Sequence, residues 1–165
     1  MRSMQGRNSV YSDGVVDVSV IVPACFDNPL KDASIEFLSE VLRGKRNTAI
    51  PLSAIVGAYH ITTRYLKASR IAVRRVLDGL LSTKSNALYG DLSINNVSDA
   101  LDYSTVYNIE SWDGVLIALC RSHGSRIIYT LDKTIGKVSE IEAVNPFTDA
   151  KVQMYHDFIR EKIRE

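Results

Sequence analysis

Val15-Val16-Asp17-Val18-Ser19-Val20-Ile21 is the stretch on which the fold turns. It follows the turn signal Asp13-Gly14, and its β-branched residues suit a pleated strand from Val15 to about Ser19. The apolar run continues through Val22 and Pro23 into Ala24-Cys25-Phe26, where the strand is expected to hand over to a short helix. Two further aspartates occupy comparable places. Asp113 opens an apolar helical pattern in Ser111-Trp112-Asp113, and Asp132 follows the β-rich run Ile127-Ile128-Tyr129-Thr130. In a chain that alternates strand and helix, the carboxyl ends of parallel strands converge on one crevice. Carboxylates gathered there repel one another unless a hard divalent cation neutralises them. The pattern therefore points to a Mg2+ or Mn2+ site acting on a phosphodiester.

The elements on either side support that alternation. Ile35, Leu38, Val41 and Leu42 recur at helical spacing until Gly44, with Arg43, Lys45 and Arg46 around the C-terminus, where cations suit the helix dipole. Thr48 to Leu52 reads as a second strand. Ser53 is the expected cap of a helix that turns Ile55, Val56, Tyr59 and Thr63 or Leu66 inward. A helix from about Ser69 to Leu81 turns Ile71, Val76, Leu77 and Leu80 inward. Ala87-Leu88-Tyr89 is a short strand or an extended linker, and Asn95 or Asn96 opens a helix carrying Val97, Ala100 and Leu101. Ser111 is the expected N-cap of a helix with Trp112, Val115, Leu116 and Leu119, closed by Gly124. Ile127 to Thr130 and Ile141 to Val144 are strands, the second ending in Asn145-Pro146-Phe147. The tail from Thr148 to about Arg164 places Val152, Tyr155 and Ile159 on one helical stripe. This order argues an α/β sandwich with a mostly parallel sheet.

Composition sets the outer limits. The chain's 165 residues suffice for one domain with one core. A net charge of +1 makes any nucleic-acid surface a local patch. Two such patches exist: Arg64, Lys67, Arg70, Arg74 and Arg75 around a helix junction, and Arg43, Lys45 and Arg46. Either would give salt-dependent, weakly sequence-specific phosphate binding, and either is equally a solvated helical face. Cys25 and Cys120 lie among apolar neighbours without disulfide or zinc spacing, so both read as buried reduced thiols. No apolar run approaches the roughly 20 residues that span a bilayer. Residues 1–13 are polar, carry Arg2 and Arg7, and lack an apolar signal core, so a flexible N-terminal segment and a cytoplasmic protein are expected.

The ordered pieces resemble the PIN-domain family, the fold of metal-dependent ribonucleases that includes the VapC toxins. The resemblance rests on Val15-Val16-Asp17-Val18-Ser19-Val20-Ile21, Glu36-Phe37-Leu38, Ser111-Trp112-Asp113-Gly114-Val115-Leu116-Ile117, Thr130-Leu131-Asp132 and Asn145-Pro146-Phe147. It implies a three-layer α/β/α sandwich over residues 14–148, with residues 149–165 forming a C-terminal helix packed on or extending the domain. It further implies a metal-dependent endoribonuclease, RNA as substrate, Mg2+ or Mn2+ as cofactor, a homodimer and, for a toxin, a small antitoxin partner. Asp17, Asp113 and Asp132 then become catalytic and metal-ligating residues, with Ser19 and Thr130 as hydroxyl partners of the carboxylates or as ordinary strand-end residues.

One departure is clear. The family carries a glutamate on the helix after the second strand, whereas the chain has no acid from Ser53 to Leu66. His60 in Gly57-Ala58-Tyr59-His60 is a candidate replacement ligand or hydrogen-bond partner, or else a helical histidine contacting backbone or water, and Glu36, Glu40 and Glu110 are further acids whose place in the fold the sequence leaves open. A degenerate PIN-fold protein that binds RNA or a protein partner without cleavage is the alternative. A phospho-acceptor receiver domain is a third class. It needs an acidic pair after the first strand, which Asp17 lacks, and a lysine ending a late strand of its own, whereas Lys133 directly follows Asp132.

Overall fold

The computed structural model describes residues 12–90 and 92–164. Most of the N-terminal segment expected for residues 1–13 lies outside the described residues. From Ser12 onward the backbone is tied down, the Asp13 N–H donating to the Asn47 carbonyl at 2.6 Å. Five strands form one parallel sheet: β1 (Gly14–Val16), β2 (Thr48–Pro51), β3 (Leu88–Tyr89), β4 (Ile127–Tyr129) and β5 (Glu142–Val144), in the order β3-β2-β1-β4-β5. Parallel neighbours need crossover connections, and helices supply them. These are α1 (Val18–Ile21), α2 (Lys31–Leu42), α3 (Leu52–Arg64), α4 (Arg70–Ser82), α5 (Ile94–Tyr107), α6 (Ser111–Ser122) and α7 (Asp149–Arg164), with 3-10 helices over Val22–Cys25 and Lys133–Lys137. The receiver-domain alternative requires the order 2-1-3-4-5, so this topology removes it.

The period-2 alternation of a strand divides the core between two faces. Val16 and Ile50 enter the cluster built with Val20, Ile21, Phe37, Leu38, Val41, Ala58 and Val73. Their chain neighbours Val15 and Ala49 enter the other, with Leu116, Ile117, Cys120, Ile128 and Ile135. The central strand β1 is therefore covered on both sides, as a near-continuous apolar run in a parallel sheet requires. The result is the three-layer sandwich. Tyr155 of α7 is buried and Ile159 packs against the first cluster, so this helix lies on the domain. Both cysteines are free and buried, and burial pushes each thiol up to about 11, so neither is a reactive thiolate near neutral pH. Among the described residues, no helix is long and apolar enough to cross a membrane.

Several local expectations are corrected. The first strand ends at Val16, and Val18–Ile21 is already helical. Strand preference in Val18, Val20 and Ile21 yields because the helical turn buries Val20 and Ile21 completely and returns Ser19 toward Asp17. Ser53 lies inside α3, whose N-cap is Pro51, because β2 runs directly into that helix. Val56 and Ile71 are exposed, while Ala54 and Val73 face inward. Ser93 with Asn96 forms the capping box that opens α5, and of the three apolar residues expected along it only Ala100 is buried. Glu110, not Ser111, is the N-cap of α6, and Trp112 is exposed.

Candidate active site

The carboxyl edge of the sheet collects the three aspartates by topology. β1 and β4 are parallel neighbours, so Asp17 and the Thr130–Asp132 segment leave the sheet at the same edge. α6 closes at Gly124, whose φ of +67° reverses the chain, and β4 begins three residues later. The helix thus runs against the strands, and its N-terminus, with Asp113, returns to that edge.

Asp17 is the best-braced of the three. Its Oδ2 accepts hydrogen bonds from Ser19 Oγ at 2.6 Å and Thr130 Oγ1 at 2.8 Å. Each hydroxyl also accepts one backbone N–H, Ser19 Oγ from Leu131 at 2.9 Å and Thr130 Oγ1 from Asp132 at 2.9 Å. The two hydroxyls also stand 3.2 Å from each other, so Asp17 Oδ2, Ser19 Oγ and Thr130 Oγ1 form one connected network anchored by two backbone N–H groups. The Asp17 N–H donates to the Tyr129 carbonyl at 2.9 Å, extending the β1–β4 ladder into the site. Asp17 stands at the N-cap of α1 without using its side chain as a cap. Oδ1 is left without a protein donor among the described residues.

Asp113 contrasts with it. It occupies the first turn of α6 and is half-buried. Its carboxyl is pushed up to about 6, first by burial and then by the negative charges of Asp17, Asp132 and Glu110. Asp17 and Asp132 therefore both lie near enough for their charges to act on Asp113. So does Glu110, one helical turn before Asp113, which only the start of α6 could bring there. Gly114 sets the position of this turn. A Cβ on it would collide with the Ala100 carbonyl oxygen and Ser104 Oγ, so glycine lets α6 lie directly on α5.

Asp132 is exposed, and its Oδ1 accepts the Thr134 N–H at 2.9 Å, capping the 3-10 helix Lys133–Lys137. One oxygen is thus spent on the turn and the other is available. His60 is exposed and edge-on to Tyr65, with ring centroids 5.6 Å apart, and is not among the charges that act on Asp113. Gly57, one turn earlier, faces the site's first helix: a Cβ there would lie 3.3 Å from Val18 Cγ2. A side chain at position 57 would therefore lie beside the residue that follows Asp17. Glu40 is engaged with Arg46 at 2.6 Å, and Glu36 lines a groove with Phe147 and Lys151.

The donors are all carboxylate and hydroxyl oxygens, the chemistry of Mg2+ and Mn2+. Among the described residues, no three His, Cys, Asp or Glu side chains stand close enough to hold an ion between them. A cation here would therefore be held by at most two of these carboxylates, with water and substrate oxygens completing its shell, which Mg2+ accepts. The donor set fits such an ion on those terms. Of the basic residues, Arg74 pairs with Asp78 at 3.2 Å. Arg64, Lys67, Arg70 and Arg75 are exposed and make no ion pair among the described residues.

Comparison with known proteins gives one family. A family model described as PIN domain matches residues 14–141, which takes in β1 through the lead into β5 and all three aspartates. No match to the chain is found among curated proteins.

Proposed function

We propose, because the chain belongs to the PIN-domain family, that it is a metal-dependent endoribonuclease hydrolysing RNA phosphodiesters. PIN domains are generally nucleases, and on that footing the chain is of nuclease type. The observation that carries the finer reading is the state of Asp113: burial and the charges of Asp17, Asp132 and Glu110 push it up to about 6. An acid whose ionisation is opposed by burial and by neighbouring carboxylates is an arrangement that a cation relieves.

One or two of Asp17, Asp113 and Asp132 would hold a Mg2+ or Mn2+ ion, directly or through water, and the ion would supply charge neutralisation at the phosphoryl group and at the leaving oxygen. Asp17 presents Oδ1 while Ser19 and Thr130 lock Oδ2, so its orientation costs nothing at the moment of binding. Asp113 orients the attacking water and takes its proton, a task suited to a carboxylate whose pKa has moved toward neutrality. Asp132 accepts from the Thr134 N–H through Oδ1 and offers its other oxygen. The exposed Arg64, Lys67, Arg70 and Arg75 contribute salt-dependent attraction for the RNA backbone. A cytoplasmic toxin paired with a small antitoxin, acting as a homodimer, is the biological setting the family suggests.

A second reading is favoured by a specific feature. Position 57 of α3 lies beside Val18 yet carries glycine, and no acid occurs from Ser53 to Leu66. A protein that binds RNA or a partner without cutting it would have no use for a carboxylate there. Purified protein incubated with mixed single-stranded RNA and Mg2+, Mn2+ or EDTA, beside Asp17→Asn, separates the two. Metal-dependent cutting that the variant lacks supports the nuclease. Binding without cutting supports the alternative.

A further inference from the structure

We propose that the protein carries a second ligand site, a phosphate-binding cavity at the amino edge of the sheet, which takes a small phosphomonoester of mononucleotide size. The site does not depend on the nuclease reading. Ser12 leads into β1, Thr48 opens β2 and α6 ends at His123 beside them, so the cavity these residues line lies at the opposite end of the strands from Asp17 and Asp132. Its volume is about 810 Å³, within the range of small-molecule sites. Two loops wall it: the one from α2 to β2, with Arg43, Arg46 and Thr48, and the one from α4 to β3, with Lys84. Ser85 Oγ donates to the Leu42 carbonyl at 2.7 Å and ties the two loops together. The Tyr89 ring, edge-on to His123 with centroids 4.1 Å apart, forms part of the wall.

Two independent features of the lining call for an anion. The first is charge. Arg43, Arg46 and Lys84 line the cavity and, among the described residues, no acid does. Arg46 is held by Glu40 at 2.6 Å and lies over the Phe37 ring. Arg43 and Lys84 are exposed and make no ion pair among the described residues. Two such cations match the charge of nearly −2 that a phosphomonoester carries near neutral pH. Lys84 stands at φ +48°, just past the end of α4, where glycine is the usual occupant, so a lysine is kept there at a conformational cost. The second feature is unmet hydrogen bonding. Ser12 Oγ and Thr48 Oγ1 are buried without a hydrogen-bond partner, and both residues line this one cavity. Thr48 as a whole is only 4% exposed. Buried hydroxyls in a native fold are nearly always paired, and a phosphate oxygen accepts from a hydroxyl while guanidinium and ammonium groups meet its charge. Residues 1–11, which lead into Ser12, carry Arg2 and Arg7 and no acid, so their charge does not complement this lining and an anion from outside the chain does.

The full chain is titrated calorimetrically in metal-free buffer with AMP, inorganic phosphate and adenosine. Without metal, the aspartates at the carboxyl edge repel a phosphate. Saturable binding of one AMP per chain, displaced by inorganic phosphate and absent with adenosine, is the expected result. Lys84→Gly should weaken AMP binding roughly tenfold while melting no lower than the parent, because glycine accepts the left-handed backbone more readily. Thr48→Val removes a hydroxyl and keeps the shape, so it should fold and also bind AMP more weakly, as should Arg43→Gln. Arg75→Gln and Asp17→Asn should bind AMP as the parent does. Failure of AMP and phosphate to bind overturns the proposal, as does an AMP affinity unchanged in Lys84→Gly, Arg43→Gln and Thr48→Val. Equal weakening in Arg75→Gln overturns it too, since that would be diffuse attraction to surface charge. Loss of AMP binding in Asp17→Asn would put the nucleotide at the carboxyl edge instead, and adenosine binding as tightly as AMP would remove the phosphate from the recognition.

Discussion

Asp17 and Asp113 act on one another at the same sheet edge, yet the fold treats them in opposite ways. Two hydroxyls serve Asp17, and each is itself fixed by a backbone N–H. Asp113 accepts no hydrogen bond among the described residues and meets three other negative charges in a half-buried position. One carboxylate has its orientation set in advance by hydrogen bonds. The other is kept at the margin of protonation by repulsion and desolvation. A site that stores unfavourable electrostatics at one position and rigid geometry at its neighbour is stabilised less by its own contacts than by what binds it.

The comparison can be broken at several points. Asp17→Asn should lower metal-dependent RNA cleavage by about 10²–10³-fold with the melting temperature little changed, as gel cleavage and thermal unfolding would show. An active variant would mean that the braced carboxylate is only a structural element. Gly114→Ala forces a Cβ into the Ala100 carbonyl and Ser104 Oγ. It should cost about 2–3 kcal/mol in urea unfolding, because α6 must lift from α5 and take Asp113 with it. Thr130→Val and Ser19→Ala each remove one donor to Asp17 Oδ2, so each should weaken Mg2+ binding about tenfold by calorimetry. Equal affinity would show that the hydroxyls brace the strand ends and not the ligand.

The smallest effect sharpens the comparison through pH. The folded-state pKa of Asp113 lies above its unfolded value, so the folded protein binds the extra proton and loses stability as pH rises through the window from about 4 to about 6. Without metal, Asp113→Asn should therefore be more stable than the parent above that window, by about 1 kcal/mol once solvent screening is allowed for, and the difference should vanish below it. Cleavage should follow the opposite limb, falling at acid pH as Asp113 takes up its proton, at a pH below the metal-free value because a bound cation favours the ionised form. A variant no more stable at neutral pH would show that the acids do not share a field.

Much of the site was legible as sequence because its parts are local. Asp17 and Asp132 follow apolar runs that end, and Asp113 begins one, whatever the rest of the chain does. Ser19 and Thr130 were readable as partners since each is two residues from a strand-end aspartate. Helix phase was less legible. α3 carries Ala54, Ile55, Val56 and Ala58 in one turn, so pattern alone cannot say which arc faces the core, and the core chose Ala54 and Ala58 over Val56. Trp112 was misplaced for the same reason: an aromatic at the start of an apolar helix looks inward until the neighbouring helix is seen to seat on Gly114. The short first strand was hidden because a β-branched run looks the same whether extended or wound into a fully buried turn.

The sequence by itself determined the alternation of elements, the parallel sandwich and the residue types available at the carboxyl edge, since these follow from periodicity, turn chemistry and strand-end placement. Only the tertiary structure decided how those residues stand toward one another. Charge acts through space, so the elevation of Asp113 by Asp17, Asp132 and Glu110 exists only once β1, β4 and α6 are side by side. Hydrogen bonds need partners at contact, so the lock on Asp17 exists only when residues more than a hundred positions apart share one sheet edge.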